Sequence, residues 1–247
     1  MRNIRFIVSY DGTDFRGWQT QPTYRTVQET LEAAIKAVTG DDRVYCNASG
    51  RTDAGVHASG QVVNFYTAST LAPEVLVRAV NAHLPTDVIV RAADEVSQAF
   101  DANRDAKRKL YRYVIHDGRI PDVFLRRFAF HCKWRLDVDA MRRASKPLLG
   151  RHDFHSFETD WPNRLSSIRT ITHLTVNRMG EFIWIDVEAD GFLYNMVRAI
   201  AGTLINVGRG YWPESKVLEI LTAEDRKEAG PTAAAEGLFL MRVTYDE

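Results

Sequence analysis

Cysteine is scarce in this 247-residue chain, which carries only Cys46 and Cys132. No second cysteine stands two to four residues from either, which excludes a zinc ribbon and a CxxC redox pair. Two isolated thiols suit a reducing compartment and read as buried filler rather than as nucleophiles. With 15 glycines and 8 prolines, collagen-like and low-complexity classes are excluded as well. No apolar run approaches the ~18 residues of a membrane-spanning helix. The opening residues, Met1-Arg2-Asn3-Ile4-Arg5-Phe6, alternate charge with apolar side chains, whereas a secretory signal needs an unbroken apolar run. The expectation is a soluble, cytoplasmic protein.

Several chemical signatures are also missing. Gly208-Arg209-Gly210 lacks the third glycine of a dinucleotide loop, and no GxxxxGKS/T occurs, so no nucleotide cofactor is expected. No GxSxG nucleophile elbow is present. His152-Asp153-Phe154-His155 places two histidines at i and i+3, but no third ligand stands at a known metal spacing, so no metal is expected.

The charge balance has no overall sign: 32 basic residues face 32 acidic ones. The distribution is uneven. From Arg104 to Arg151 there are fourteen Lys/Arg and five Asp/Glu, a local excess of +9 that the rest of the chain offsets. Tyr111, Tyr113, Phe124, Phe128, Phe130 and Trp134 are interleaved with those cations. Cations contact phosphates and aromatics stack bases, so this band fits an anionic partner such as RNA. A solvated face over ordinary core aromatics is the alternative reading.

Hydrophobic periodicity gives the elements. Ile4 to Tyr10 alternates as a half-buried strand. Thr26-Val27-Gln28-Glu29 reads as a capping box opening a helix that carries Val27, Leu31, Ile35 and Val38 and stops at Gly40. Val44–Ser49 and Gln61–Tyr66 read as strands. Pro73 opens a second helix with Leu76, Val77 and Val80 on one face, and Asp87–Ala93 is a strand. The order β-α-β-β-α-β recurs after residue 104. There Lys109–His116 is a strand, and Asp137 caps a helix with Met141, Ala144 and Leu148. Ile168–Val176 and Phe182–Ala189 meet at Arg178-Met179-Gly180. Tyr194–Val207 and Pro213–Leu221 are helices, and Leu238–Val243 is the last strand. The expectation is an α+β fold of two ferredoxin-like βαββαβ halves, residues 1–104 and 105–247. Mainly antiparallel sheets and a basic cleft between the halves are expected, since ligands favour such clefts.

The most informative segment is Gly50-Arg51-Thr52-Asp53-Ala54-Gly55-Val56-His57. Glycines bracketing an Arg and an Asp can hold a side chain in an unusual pose at a strand end. A nearby guanidinium keeps a carboxylate ionised, and an ionised, positioned carboxylate is what covalent chemistry on a sugar or an electrophilic ring needs. A surface turn with a salt bridge fits the same spacing. On the helix that begins near Tyr194, Arg198 stands among Met, Val, Ala and Ile, where an unpaired cation is costly to bury; a carboxylate or phosphate partner is expected.

Taken together, these residues resemble the tRNA pseudouridine synthase A family. The resemblance runs through Tyr10-Asp11-Gly12-Thr13, Gly17-Trp18-Gln19, Val27-Gln28, Gly50 to Ala58 and Asn81 to Pro85. It continues through Lys109-Leu110-Tyr111-Arg112-Tyr113, Asp153 to Phe157, Gly191 to Arg198 and Glu236 to Leu240, covering nearly the whole chain in order. The resemblance implies isomerisation of uridine to pseudouridine at positions 38, 39 and 40 of the tRNA anticodon stem-loop, without a cofactor, by a homodimer. It places the essential aspartate on Asp53 and the substrate-contacting tyrosine on Tyr111. The active-site arginine falls on Arg198, an apolar pocket residue on Leu238, and a base-extruding or phosphate-holding arginine on Arg51. Two departures stand out: Thr232-Ala233-Ala234-Ala235 replaces a stretch often carrying prolines, and Asn195 stands where many members have His. The sequence leaves open whether Asp53 attacks C6 of the uracil, attacks C1′ of the ribose, or takes the C2′ proton. A non-catalytic tRNA-binding protein on the same scaffold, or a synthase acting at other RNA positions, are the competing readings.

Overall fold

A computed structural model of the chain describes residues 1–159 and 166–246. In chain order its strands and helices are β1 (Arg2–Tyr10), α1 (Val27–Thr39), β2 (Asn47–Ala48), β3 (His57–Thr67), α2 (Pro73–His83), β4 (Val88–Val96), β5 (Arg108–His116) and β6 (Phe130–His131). There follow α3 (Val138–Ser145), β7 (Gly150–Asp153), β8 (Ile168–Met179), β9 (Phe182–Ala189), α4 (Met196–Gly208), α5 (Lys216–Ala223) and β10 (Leu238–Thr244). The fold is thus mixed α+β. It divides into two compact units, Met1–Lys107 with Phe239–Glu247, and Arg108–Leu238.

In the first unit, β1 pairs antiparallel with β3 on one side and with β4 on the other. β2 pairs antiparallel with β3, and β10 joins β3 in parallel through Phe239–His57 and Leu240–Ala58. The alternation of β1 does what its pattern predicts: Ile4, Phe6, Val8 and Tyr10 all point into the core. Phe6 meets Phe65 edge to face, with ring centroids 4.9 Å apart. Leu31 and Ile35 of α1 and Leu76 and Val80 of α2 are fully buried.

In the second unit β5, β9, β8 and β7 pair successively antiparallel, and β6 adds to β5 in parallel. Tyr113, Ile115, Ile183, Ile185 and Val187 are buried on the sheet, and Met141 and Ala144 of α3 are buried as well. Every residue of α4 except Arg198 is buried, so this helix runs through the core rather than over it.

The structure corrects several expectations. The strand expected over Val44–Ser49 shrinks to Asn47–Ala48, the two residues that stand in register with β3, opposite Asn64 and Val63. The helices expected from Tyr194 and Pro213 begin at Met196 and Lys216. The capping box at Thr26 does not form. Thr26 is the N-cap of α1, but its Oγ1 is buried without a hydrogen-bond partner. The free N–H groups of the first turn are taken instead by main chain: Val27 N–H donates to Gly17 O at 3.3 Å and Gln28 N–H to Trp18 O at 3.0 Å. The cap therefore comes from the loop after β1, not from the residue before the helix. By contrast Asp137 caps α3 as expected, accepting from Ala140 N–H, and Gly40 ends α1 in the left-handed region. Among the described residues no helix is long and apolar enough to cross a membrane.

Candidate active site

In the first unit, the segment from Ser49 to Val56 links β2 to β3, and it is tied down along most of its length. Ser49 N–H donates to Val62 O at 2.8 Å, and the Ser49 hydroxyl donates to Gln61 Oε1 at 2.7 Å. The other end of that buried amide, Gln61 Nε2, donates to Gly50 O at 2.8 Å. The Thr52 and Tyr10 hydroxyls share a buried hydrogen bond of 2.7 Å. Burial pushes the Tyr10 hydroxyl up to about 12, so it serves as a neutral hydrogen-bonding group. Thr52 O accepts from Trp18 N–H at 3.0 Å, and Gly55 N–H donates to Phe15 O at 3.3 Å. Val56 N–H closes the turn on Asp53 O at 3.1 Å, with Gly55 at φ +77.

The loop after β1 lies directly against this turn. A Cβ added at Gly12 would sit 2.0 Å from Val56 O, and one added at Gly17 would sit 2.7 Å from Thr52 O. Both are contacts between backbone and backbone, which only glycine permits. His57 locks the same corner: its Nδ1 accepts from Gly12 N–H at 3.0 Å, and its ring stacks on Phe239 with centroids 4.7 Å apart. Asp53 is half-buried at the turn so held. Its neighbour Arg51 points to solvent and makes no ion pair or hydrogen bond among the described residues.

The remaining expected residues lie in the second unit. Tyr111 on β5 is 8% exposed and meets Phe192 edge to face, with centroids 5.1 Å apart. It shares the buried side of β5 with Tyr113, as alternation predicts. Burial drives the Tyr113 hydroxyl far above its ordinary range, and that hydroxyl donates to Ala234 O at 2.8 Å. Arg198 on α4 is half-buried; its Nε donates to Ala233 O at 2.7 Å and its Nη1 to Asn195 Oδ1 at 2.9 Å. Leu238, 6% exposed, begins β10 immediately after the segment that Arg198 holds.

The cations of the basic band fall into two groups. Arg112 forms a bidentate pair with Asp186, both bonds 2.7 Å, and covers the Trp184 ring at 4.1 Å. Lys107 meets Asp246 at 2.7 Å, Arg143 meets Glu214 at 2.7 Å, and Arg135 meets Asp117 at 2.9 Å. Part of the local excess is thus matched by carboxylates from elsewhere in the chain, Asp186, Asp246 and Glu214. Arg119, Arg126, Lys133, Lys146 and Arg151 are exposed and have no ion-pair partner among the described residues. Among the described residues, no group of three or more His, Cys, Asp or Glu is arranged to hold a metal ion.

The braces Tyr10, Gly12, Gly17, Gln61 and His57 received no individual role from sequence. Tyr10, Gly12 and Gly17 stand in other segments of the family resemblance, His57 in the Asp53 segment itself and Gln61 only at the start of a strand; what joins them is pairing between distant segments. Asn195, noted only as a departure, proves to be a direct partner of Arg198.

The family model described as tRNA pseudouridine synthase matches residues 6–103 and 144–246. The tRNA pseudouridine synthase A of Shouchella clausii is 48% identical over 240 residues, covering 97% of this chain and 92% of that protein. That of Moorella thermoacetica is 45% identical over 98% of this chain and 99% of its own length. That of Brevibacillus brevis is 44% identical over 99% and 100%. The chain belongs to the tRNA pseudouridine synthase family and is an isomerase.

Proposed function

We propose that this isomerase converts uridine to pseudouridine at positions 38, 39 and 40 of the tRNA anticodon stem-loop, with Asp53 as its essential carboxylate. The observation that carries the proposal is the bracing of the Asp53 turn: two glycines, a buried Tyr–Thr hydrogen bond and a buried glutamine hold a carboxylate-bearing turn from several sides. A surface turn with a salt bridge needs none of this. Positional rigidity is what a reacting group requires, since small misplacements are costly in rate.

The chemistry needs one reacting carboxylate. Uridine and pseudouridine are isomers. The C1′–N1 bond breaks, a C1′–C5 bond forms, the C5 proton leaves and N1 gains one. Atoms and electrons balance within the substrate, so the proposal includes no cofactor. Asp53 starts the exchange by attack at C6 or C1′, or by taking the C2′ proton. A stacked base must first be extruded, at a cost of a few kcal/mol. Arg51 holds phosphate or assists that extrusion, and cations such as Arg119 and Arg126 offset its cost by binding the backbone. Tyr111 packs on the flipped base, Leu238 lines its apolar side and Arg198 contacts the substrate. The reading also keeps ferredoxin-like halves, a homodimer and a cytoplasmic setting; a fully active monomer in sedimentation at assay concentration would remove the dimer.

The test is Asp53→Asn, which is nearly isosteric and leaves an amide unable to act as nucleophile or base. Single-turnover pseudouridine formation is expected to fall at least ~10⁴-fold, about 5.5 kcal/mol of barrier, while tRNA binding persists. A well-folded Asp53→Asn retaining more than about a tenth of the rate would remove the proposed catalytic group. Chemical mapping of pseudouridines in tRNA from cells with and without the protein tests the positions; loss elsewhere in RNA would favour the alternative site specificity.

A further inference from the structure

Asn195 occupies an unusual place. It is the N-cap of α4, yet its backbone lies in the left-handed region at φ 62, ψ 6. Asparagine is among the few side-chain-bearing residues that tolerate this conformation. An N-cap asparagine ordinarily turns its side-chain oxygen onto the free N–H groups of the first helical turn. Here it makes no such bond. Oδ1 instead accepts from Arg198 Nη1 at 2.9 Å, and Nδ2 donates to Thr159 Oγ1 at 3.0 Å. The amide is therefore oriented by partners on both ends. Its helix-capping value is forgone, and its acceptor is spent on a cation one turn later.

The second hold on that cation is equally specific. Arg198 Nε donates to Ala233 O at 2.7 Å, and Ala233 N–H returns a bond to Arg198 O at 3.1 Å. The segment carrying Ala233 is itself pressed onto α4, since a Cβ at Gly202 would sit 1.9 Å from Pro231 O. Gly230 N–H donates to Thr203 Oγ1 at 2.9 Å in the same contact. Asn195 and Ala233 grip two different nitrogens of one guanidinium, and neither acceptor carries a full charge. A guanidinium gripped at two nitrogens has its plane fixed. Held by neutral acceptors there, it is oriented without being neutralised by them.

We infer that Asn195 is a positioning residue for Arg198: its left-handed backbone and doubly anchored amide aim the guanidinium that acts on the substrate. The inference rests on the assignment of Arg198 above and adds the residue through which that arginine is set. It predicts that the amide, not the backbone, matters. Asn195→Gly preserves or relaxes the left-handed conformation and removes the amide, so a purely structural role predicts unchanged chemistry.

The experiment measures single-turnover pseudouridine formation with excess enzyme, tRNA affinity and thermal stability for Asn195→Gly, Asn195→Asp, Arg198→Ala and the Asn195→Gly/Arg198→Ala double variant. Asn195→Gly is expected to lose about 10- to 100-fold in rate, the scale of one hydrogen bond to a charged group, with affinity and stability near wild type. Asn195→Asp keeps an acceptor oxygen toward Arg198 and is expected to be faster than Asn195→Gly. In the Arg198→Ala background the glycine substitution should change the rate less than twofold, because its effect runs through the missing side chain. A wild-type rate for folded Asn195→Gly, an Asn195→Asp no faster than Asn195→Gly, or a full additional loss in the double variant would each overturn the inference. A wild-type rate for Arg198→Ala itself would instead overturn the assignment of Arg198, and the inference with it. Should Asn195→Gly not fold, the cycle built from Asn195→Ala, which also removes the amide, and Arg198→Ala gives the same reading: non-additive loss supports it and additive loss overturns it.

Discussion

Gly12→Ala offers a direct test of the rigid turn. The added methyl would lie 2.0 Å from Val56 O and 2.5 Å from Val56 C. Ordinary van der Waals contact begins at 3.4 Å, so the two backbones must separate by roughly 1.4 Å. Neither side can yield by rotating a flexible side chain. Gly12 is held by its N–H on His57 Nδ1 and by its carbonyl on Phe15 N–H, and Val56 N–H is bonded to Asp53 O. The strain therefore passes to the Asp53 turn. A displacement of about 1 Å at a reacting group costs on the order of 10²-fold in rate. Overpacking of this kind costs about 1–3 kcal/mol in stability. The assay is single-turnover pseudouridine formation on tRNA, paired with a denaturant titration of the same preparation. Gly40→Ala is the control: its φ of +72 makes a side chain costly by roughly 1–2 kcal/mol, but no atom lies within 4 Å of the new methyl. It should lose comparable stability and keep its rate. If folded Gly12→Ala isomerises uridine at the wild-type rate, the turn is not held as argued and its bracing is irrelevant to chemistry.

The remaining expectations concern Tyr111, the exposed cations and alkaline pH. Tyr111→Phe should slow turnover while preserving much of the tRNA binding, because the ring remains against Phe192; equal rates for Tyr111→Phe and wild type, with failure of Tyr111→Ala, would reduce its role to stacking. Replacing Arg119, Arg126 and Lys133 together by Gln should weaken tRNA binding and lower its salt slope by roughly 2 to 3, at about 0.7–0.9 per phosphate contact. An unchanged slope would detach these side chains from RNA. Replacing Arg112, by contrast, should cost stability first, since it leaves Asp186 without its bidentate partner. The buried Tyr10 hydroxyl, at about 12 in the folded protein against 10.0 when exposed, stays protonated after the unfolded chain has ionised. Stability should therefore fall as pH rises from 10 towards 12, by about 2–3 kcal/mol from this group, and Tyr10→Phe should flatten that part of the curve.

Local signals survived into the structure wherever one segment decided its own state. The alternation of β1, the Asp137 cap, the Gly40 stop and the turn at Gly180 are all short-range, and the structure has each of them. The tight turn at Asp53 was likewise readable, because its glycines and charges are contiguous. Where two distant segments compete for the same groups, the sequence alone was insufficient. Thr26 has the residues of a capping box, yet the N-terminus of α1 is served by the carbonyls of Gly17 and Trp18. The cations of residues 104–151 form a block in the sequence, but Asp186, Glu214 and Asp246 fold back to pair with several of them. What grips Asp53 and Arg198 was decided in the same way. Gly12, Gly17 and Gln61 meet the turn that carries the one, and Asn195 and Ala233 meet the other, through backbone approaches and hydrogen bonds that no composition or period encodes. A hydrophobic period reports which face of a segment is buried; the partner that buries it, and the atoms left within hydrogen-bond reach, are set only when the chain has closed on itself.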